Sequence, residues 1–151
     1  MTNLTRKLLK SNQTMDDPNF SNTVILIAEH NENGALGFII NKPFERSLNE
    51  LAEFAACPAF PLYNGGPMDQ EHLYFVHKRN DLIPGGQHIA DDLFLGGDFT
   101  QAITHISNNN IDSTAIKIFI GYCGWNAMDV ESEITEGSWT VMESTSNIIF
   151  A

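Results

Sequence analysis

Ile118-Phe119-Ile120-Gly121-Tyr122-Cys123-Gly124-Trp125 is the stretch from which the fold is read, with Asp129, Glu131 and Glu133 and then Ser138-Trp139 close behind it. The apolar run from Ala115 to Ile120 predicts a buried strand. The glycines and aromatics after it predict a corner, and the carboxylates predict an acidic helix that starts at Asn126 or Ala127. Gly137 closes that helix, and Ser138 to Met142 returns as strand. A strand joined to a helix through such a corner is where a small protein can place a site.

Upstream, Val24-Ile25-Leu26-Ile27-Ala28 reads as a strand covered on both faces. Asn31, Glu32, Asn33 and Gly34 supply turn residues, and Ala35 to Ile40 resumes as strand, so a hairpin is predicted. Ser47 and Glu50 have the spacing that satisfies two backbone donors at a helix start. Leu48, Leu51 and Ala55 then share a face, with Phe54 beside them, until Pro58 ends the element. Leu73 to Val76 reads as a third strand and Asp92 to Leu95 as a short fourth. Asp98 caps a second helix through Ile106 that turns Ala102, Ile103 and Ile106 inward.

Strands arriving in pairs among three interspersed helices predict an α+β fold rather than a doubly wound one. The pairs Gly65-Gly66, Gly85-Gly86 and Gly96-Gly97 imply sharp corners and a strongly bent sheet. No repeat, low-complexity tract or linker divides residues 1–151, so one domain is expected.

Asp and Glu outnumber Lys and Arg by 19 to 8, a formal charge of -11. That balance repels phosphate backbones and anionic membrane faces, so neither direct nucleic-acid binding nor membrane association is expected. No window approaches the ~20 apolar residues of a membrane span, and Met1 to Gln13 lacks an apolar export core. A cytoplasmic location is the expectation. Cys57 and Cys123 match no C-x-x-C spacing and read as free thiols in a reducing compartment.

Four blocks together resemble the YqgE/AlgH family. They are Asp17-Pro18-Asn19-Phe20 leading to Val24 through His30; Gly34-Ala35-Leu36-Gly37-Phe38-Ile39-Ile40-Asn41-Lys42-Pro43; Tyr63-Asn64-Gly65-Gly66-Pro67; and Gly121-Tyr122-Cys123-Gly124-Trp125 with Glu131-Ser132-Glu133-Ile134 and Ser138-Trp139. The resemblance implies an α+β fold whose bent, forked, mainly antiparallel sheet curls into a pseudo-barrel with helices outside. It also brings a label of transcriptional regulator, while fold alone gives no function. Members of the family usually read Gly-Trp-Gly-x-Gly-Gln-Leu-Glu-x-Glu-Ile. Here Asn126, Met128 and Asp129 stand where the two later glycines and the glutamine would be. A ligand needing close backbone approach or an amide hydrogen bond at this corner is therefore disfavoured.

The candidate binding surface comprises Asn41, Gly65, Gly66, Pro67, Tyr122, Cys123, Trp125, Glu131 and Glu133. Gly65-Gly66-Pro67 reads as a chain turn or as a nest of backbone N–H groups for an anion. Asn41-Lys42-Pro43 reads as a strand terminator more than as a contact. At about 100° per residue, Asp129, Glu133 and Glu136 share one helix face and Ala127, Val130 and Ile134 another, with Glu131 on the flank. Glu131 is then either a helix residue snorkelling at the boundary beside a solvated acidic stripe or a partly buried acid beside Tyr122 and Trp125. Cys123 is either a small structural residue or a thiol activated by a helix N-terminus.

His30, His72, His77, His88 and His105 show no H-x-H or H-E-x-x-H spacing, and neither a G-x-S-x-G elbow nor a dinucleotide glycine run is present. No catalytic residue, metal or cofactor is therefore assigned. The leading expectation is a non-catalytic module that acts through contacts with a protein partner, since aromatic anchors framed by charge are what partner surfaces use. The alternative is a small-ligand binder or enzyme in the same groove, with Glu131 or Glu133 as acid or base. A regulator touching DNA directly is the third, and the charge opposes it.

Overall fold

The computed structural model describes residues 3–13, 15, 17, 18 and 20–151; Asn19, part of the first block above, lies outside the described residues. The chain opens with strand β1 (Leu8–Ser11), β2 (Val24–Asn31) and β3 (Gly34–Ile39). After two 3-10 turns come β4 (Leu62–Asn64), β5 (Met68–His77), β6 (Gln87–Ala90) and β7 (Leu93–Leu95). Helix α1 (Phe99–Ser107) leads to β8 (Ile116–Asn126), α2 (Asp129–Thr135), β9 (Trp139–Met142) and α3 (Ser146–Ile149). The class is α+β, as the sequence predicts.

The nine strands form one sheet in the order β6-β7-β5-β8-β3-β2-β1-β9, with β4 attached to β8 off that path. Among the described residues only the β4–β8 pair is parallel. The sheet curls without closing. Ala28 to Asn31 of β2 and Gln87 to Ile89 of β6 face a common recess, and Arg6 pairs with Asp91 across the gap.

Strand β8 is where the sheet forks. Its first part pairs with β5 on one side, Phe75 opposite Ile118, and with β4 on the other, Tyr63 beside Phe119. Its second part pairs with β3, Gly37 opposite Cys123 and Ala35 opposite Trp125. The corner predicted over Gly121 to Trp125 is thus the continuation of the strand. Gly121, whose φ of 74° lies in the left-handed region, stands between Ile120, the last residue paired with β4, and Cys123, the first paired with β3.

Three apolar clusters pack around this sheet. One fills the curl, where Phe38 and Phe119 stack with centroids 4.7 Å apart. A second joins Phe75, Ile116 and Ile118 to Ala102 and Ile106 of α1, whose start is capped by the Asp98 side chain accepting from the Gln101 N–H. The third sets Val130 of α2 against Ile25, Ile27, Cys123 and Trp139. Ile134 is half-buried there, whereas Ala127 precedes the helix and is exposed.

The helix predicted from Ser47 to Ala55 does not form. The Ser47 N–H does donate to the Glu50 carboxylate, at 3.0 Å. Leu51 is extended, however (φ -83°, ψ 134°), and splits the segment into 3-10 turns at Leu48–Glu50 and Ala52–Phe54. Burial of Leu48 and its N–H bond to the Phe60 carbonyl, 2.9 Å, hold the segment to the returning chain, while Ala55 stays exposed. One tertiary anchor outweighs a cap when so short a helix would have to pay for its own nucleation. Strands β1, β4 and β6 and helix α3, of three or four residues each, have no counterpart in the sequence reading.

The bend in β8 rests on close backbone approach. A Cβ at Gly121 would fall 2.5 Å from the Gly66 carbonyl oxygen and 2.8 Å from that of Met68. A Cβ at Gly66 would fall 2.3 Å from the Tyr122 carbonyl. Met128, by contrast, occupies the left-handed region (φ 68°) with its side chain largely in water, at a position where the family pattern has glycine. Urea unfolding should therefore show opposite effects at the two sites. Gly121→Ala is expected to lose about 2–4 kcal/mol through strain and overpacking, and Met128→Gly to gain about 1 kcal/mol by relieving the left-handed penalty.

Candidate functional site

The second part of β8 and the helix that follows build an open cleft of about 770 Å³. Phe20, Met68, Tyr122 and Trp125 give it apolar walls, and Asp17, Asp129 and Glu133 give it carboxylates. Among the described residues lining it there is no Lys, Arg or His. Tyr122 is held edge-to-face by Tyr74, with centroids 5.4 Å apart. Phe20 meets Trp139 in the same way at 5.8 Å.

Glu133 organises the aromatic side. Its Oε1 accepts from the Trp139 indole Nε1 at 3.0 Å and from the Trp125 Nε1 at 3.3 Å. One carboxylate thereby fixes two rings, leaving Trp125 half-buried on the cleft wall and Trp139 in the core. Tyr122, Trp125 and Glu133 are the sequence candidates that the structure brings together here.

The Gly65-Gly66-Pro67 turn abuts the cleft without lining it. Its two glycines are buried against β8, and Gly66 and Pro67 border a separate recess of about 280 Å³ with Lys42, Asn64 and Gln70. Gln70 Nε2 donates to the Gly66 carbonyl at 2.9 Å, so this turn presents an already occupied oxygen. Met68, opposite Tyr122 in register, is the link between turn and cleft. Sequence reading missed it because a Met before a strand carries no site signal.

Asn41 lies outside the cleft. Its Oδ1 accepts from the Val24 N–H at 2.9 Å and its Nδ2 donates to the Asn22 carbonyl at 3.0 Å, which ties the end of β3 to the start of β2. Cys123 lies beneath the surface, 1% exposed, with its thiol 3.5 Å from the Gly65 carbonyl. Burial pushes the thiol up to about 12 against a small opposing pull from Lys42, so it stays protonated at neutral pH. It is a strand residue well before α2, which removes the helix-dipole argument for a reactive thiol.

Glu131 does not stand beside Tyr122 and Trp125. It faces β2, where its Oε2 is 3.0 Å from His30 Nε2. His30 is 6% exposed, and its Nδ1 accepts the Leu4 N–H at 3.0 Å, which places the ring proton on Nε2 toward Glu131. Burial raises the Glu131 pKa, but the His30 hydrogen bond and the residue's own backbone N–H outweigh it, and the carboxyl sits below its ordinary 4.5. An acid so held is ionised at neutral pH and clamps α2 to the sheet. His30 is the partner that sequence reading missed, since nothing in local spacing links residues so far apart.

The AlgH-like family model (DUF179) matches residues 8–151, and the chain belongs to that family. Among its relatives, a UPF0301 protein of Chlorobaculum tepidum is 38% identical over 144 residues, covering 95% of this chain and 77% of that one. A UPF0301 protein of Parabacteroides distasonis is 36% identical over 140 residues, covering 91% and 71%. The solution structure of AlgH from Pseudomonas aeruginosa aligns with a TM-score of 0.80 at 28% identity, over 99% of this chain and 82% of that one. A Corynebacterium diphtheriae protein aligns at 0.81 with 21% identity, over 100% and 81%, and shares the fold. The bent, forked sheet implied by the resemblance is thus the family architecture. Among the described residues no helix is long and apolar enough to cross a membrane.

The Glu131 clamp has a pH signature. Because its folded pKa is depressed, the stabilisation is fully present above the unfolded value near 4.5 and is lost as pH falls through the folded one. The stability difference between wild type and Glu131→Gln is expected to be flat above about pH 5.5 and to shrink on acidification below it. Urea midpoints across pH 3 to 7, roughly spanning both limits, check this.

Proposed function

We propose that this protein is a non-catalytic cytoplasmic module that works through protein contacts, with the cleft between β8, α2 and the Met68 segment as its contact surface. The observation that supports this reading is the Trp125–Glu133–Trp139 arrangement, which holds a half-buried aromatic in one orientation before any partner arrives. Preorganised aromatic anchors lose little side-chain freedom on binding and carry much of the energy of protein interfaces. Met68, 47% exposed, extends the apolar wall. A regulatory role, if the family label is followed, is exerted through a bound protein rather than on DNA, since a net charge of -11 disfavours phosphate contact.

The acid–base alternative in the same groove loses its support from Glu131, which is turned to His30, and Glu133 Oε1 already holds two donors. The test is site-specific photo-crosslinking in cells from a photoreactive residue in place of Met68. A discrete adduct of one partner is expected, reduced at least about tenfold by Trp125→Ala as for an interface anchor. An adduct pattern indifferent to Trp125→Ala, with the variant folded by circular dichroism, rejects the cleft as the contact surface.

A further inference from the structure

We infer that the segment this cleft accepts is basic, presenting arginine or lysine side chains from the partner protein. This rests on the contact reading above and adds the chemistry of what is contacted.

The first observation is charge that the protein does not neutralise itself. Asp129 and Glu133 stand on the α2 side of the cleft, and no cation is among the described residues lining it. Five of the chain's eight Lys and Arg side chains are engaged elsewhere, and Lys10, Lys42 and Arg46 are not among the residues lining the cleft. Arg6 pairs with Asp91, Lys7 with Glu143 and Arg79 with Asp81, while Lys78 lies over the Phe150 ring and Lys117 is buried with its Nζ on the Ile149 carbonyl. The negative potential of the cleft therefore remains for an incoming group.

The second observation is where the carboxylate sits. Glu133 Oε1 takes both indole N–H groups, while Oε2 takes no hydrogen bond among the described residues. Two neutral donors orient a carboxylate without cancelling its charge. The fixed oxygen lies beside Trp125, and Tyr122 and Phe20 line the same space. Aromatic faces attract cations, and the methylene stems of Arg and Lys pack on rings while the head reaches an acid. A neutral apolar segment would cover the rings but strip water from the Asp129 carboxylate and from Glu133 Oε2, and an acidic one would be repelled. Only a cation on an apolar stem satisfies both halves of this surface.

The test uses the whole chain and short synthetic peptides alternating Leu with Arg, with Lys or with Glu. The readout is the Trp125 indole N–H resonance, assigned by its loss in Trp125→Phe. The Arg and Lys peptides should shift that resonance and the Glu peptide should not. Raising salt from ~50 mM to ~500 mM should weaken the response. The double variant Asp129→Asn, Glu133→Gln should weaken it about tenfold or more, because it removes the charge while the amide oxygen still accepts from both indoles. A dispersed Trp139 indole resonance that keeps its nuclear Overhauser contact with the Phe20 ring in that variant verifies that the wall is intact.

An equal response to the Glu peptide, an undiminished one in the double variant, or no response to any peptide overturns the inference. The two readings fail separately. Crosslinking from position 68 that survives alongside silence toward basic peptides sinks only the basic partner, whereas peptide binding without any crosslinked partner sinks the contact role.

Discussion

Backbone lies directly on backbone where the Gly65-Gly66 turn crosses Gly121, and the course of the central strand follows from that contact. The Gly65 N–H donates to the Ile120 carbonyl at 2.8 Å and the Gly65 carbonyl accepts from Ile39 at 2.9 Å, so the turn is stitched to β8 and β3 at once. With no side chains between them, the strands come close enough for β8 to leave β4 and join β3. A side chain at either crossing would hold them apart. That single redirection carries Tyr122 and Trp125 to the cleft and sets the height at which α2 packs.

Two glutamates on α2 then fix a helix of only seven residues, which has little stability of its own. Glu131 binds His30 on β2, and Glu133 binds the indoles of β8 and β9. Val130 fills the space between them and the sheet. With the helix held by these contacts, the chain tolerates the left-handed Met128 at its start, where the local conformation opposes the fold. What looks in the sequence like one acidic run is three different things: a hydrogen-bonded clamp to His30 at Glu131, an aromatic brace at Glu133 and a solvated carboxylate at Asp129.

Elements with their own pattern were legible. The β2–β3 hairpin follows from two apolar runs around Asn31 to Gly34, and α1 from Asp98 with the inward spacing of Ala102 and Ile106. Segments that borrow stability from neighbours were not. Strand β1 exists because Leu8 and Leu9 are covered between β2 and β9, and β4 because Tyr63 and Asn64 find β8. The Ser47 segment carried a good helix signal and lost to a single bond from Leu48 to Phe60. Gly121 to Trp125 were read as a corner because glycine and aromatics look like one, although pairing with β3 makes them strand.

By itself, the sequence determined the class of fold and the acidic charge that disfavours nucleic acid, and it offered a list of candidate residues. These are properties of composition and of short-range periodicity, which each stretch carries alone. Tertiary structure decided the roles. It buried Cys123, sent Asn41 to tie two strands together, turned Glu131 to His30, and kept Trp125, Tyr122 and Glu133 together with the unforeseen Met68. Such roles depend on which atoms meet across distant segments, and that is set only when the sheet bends.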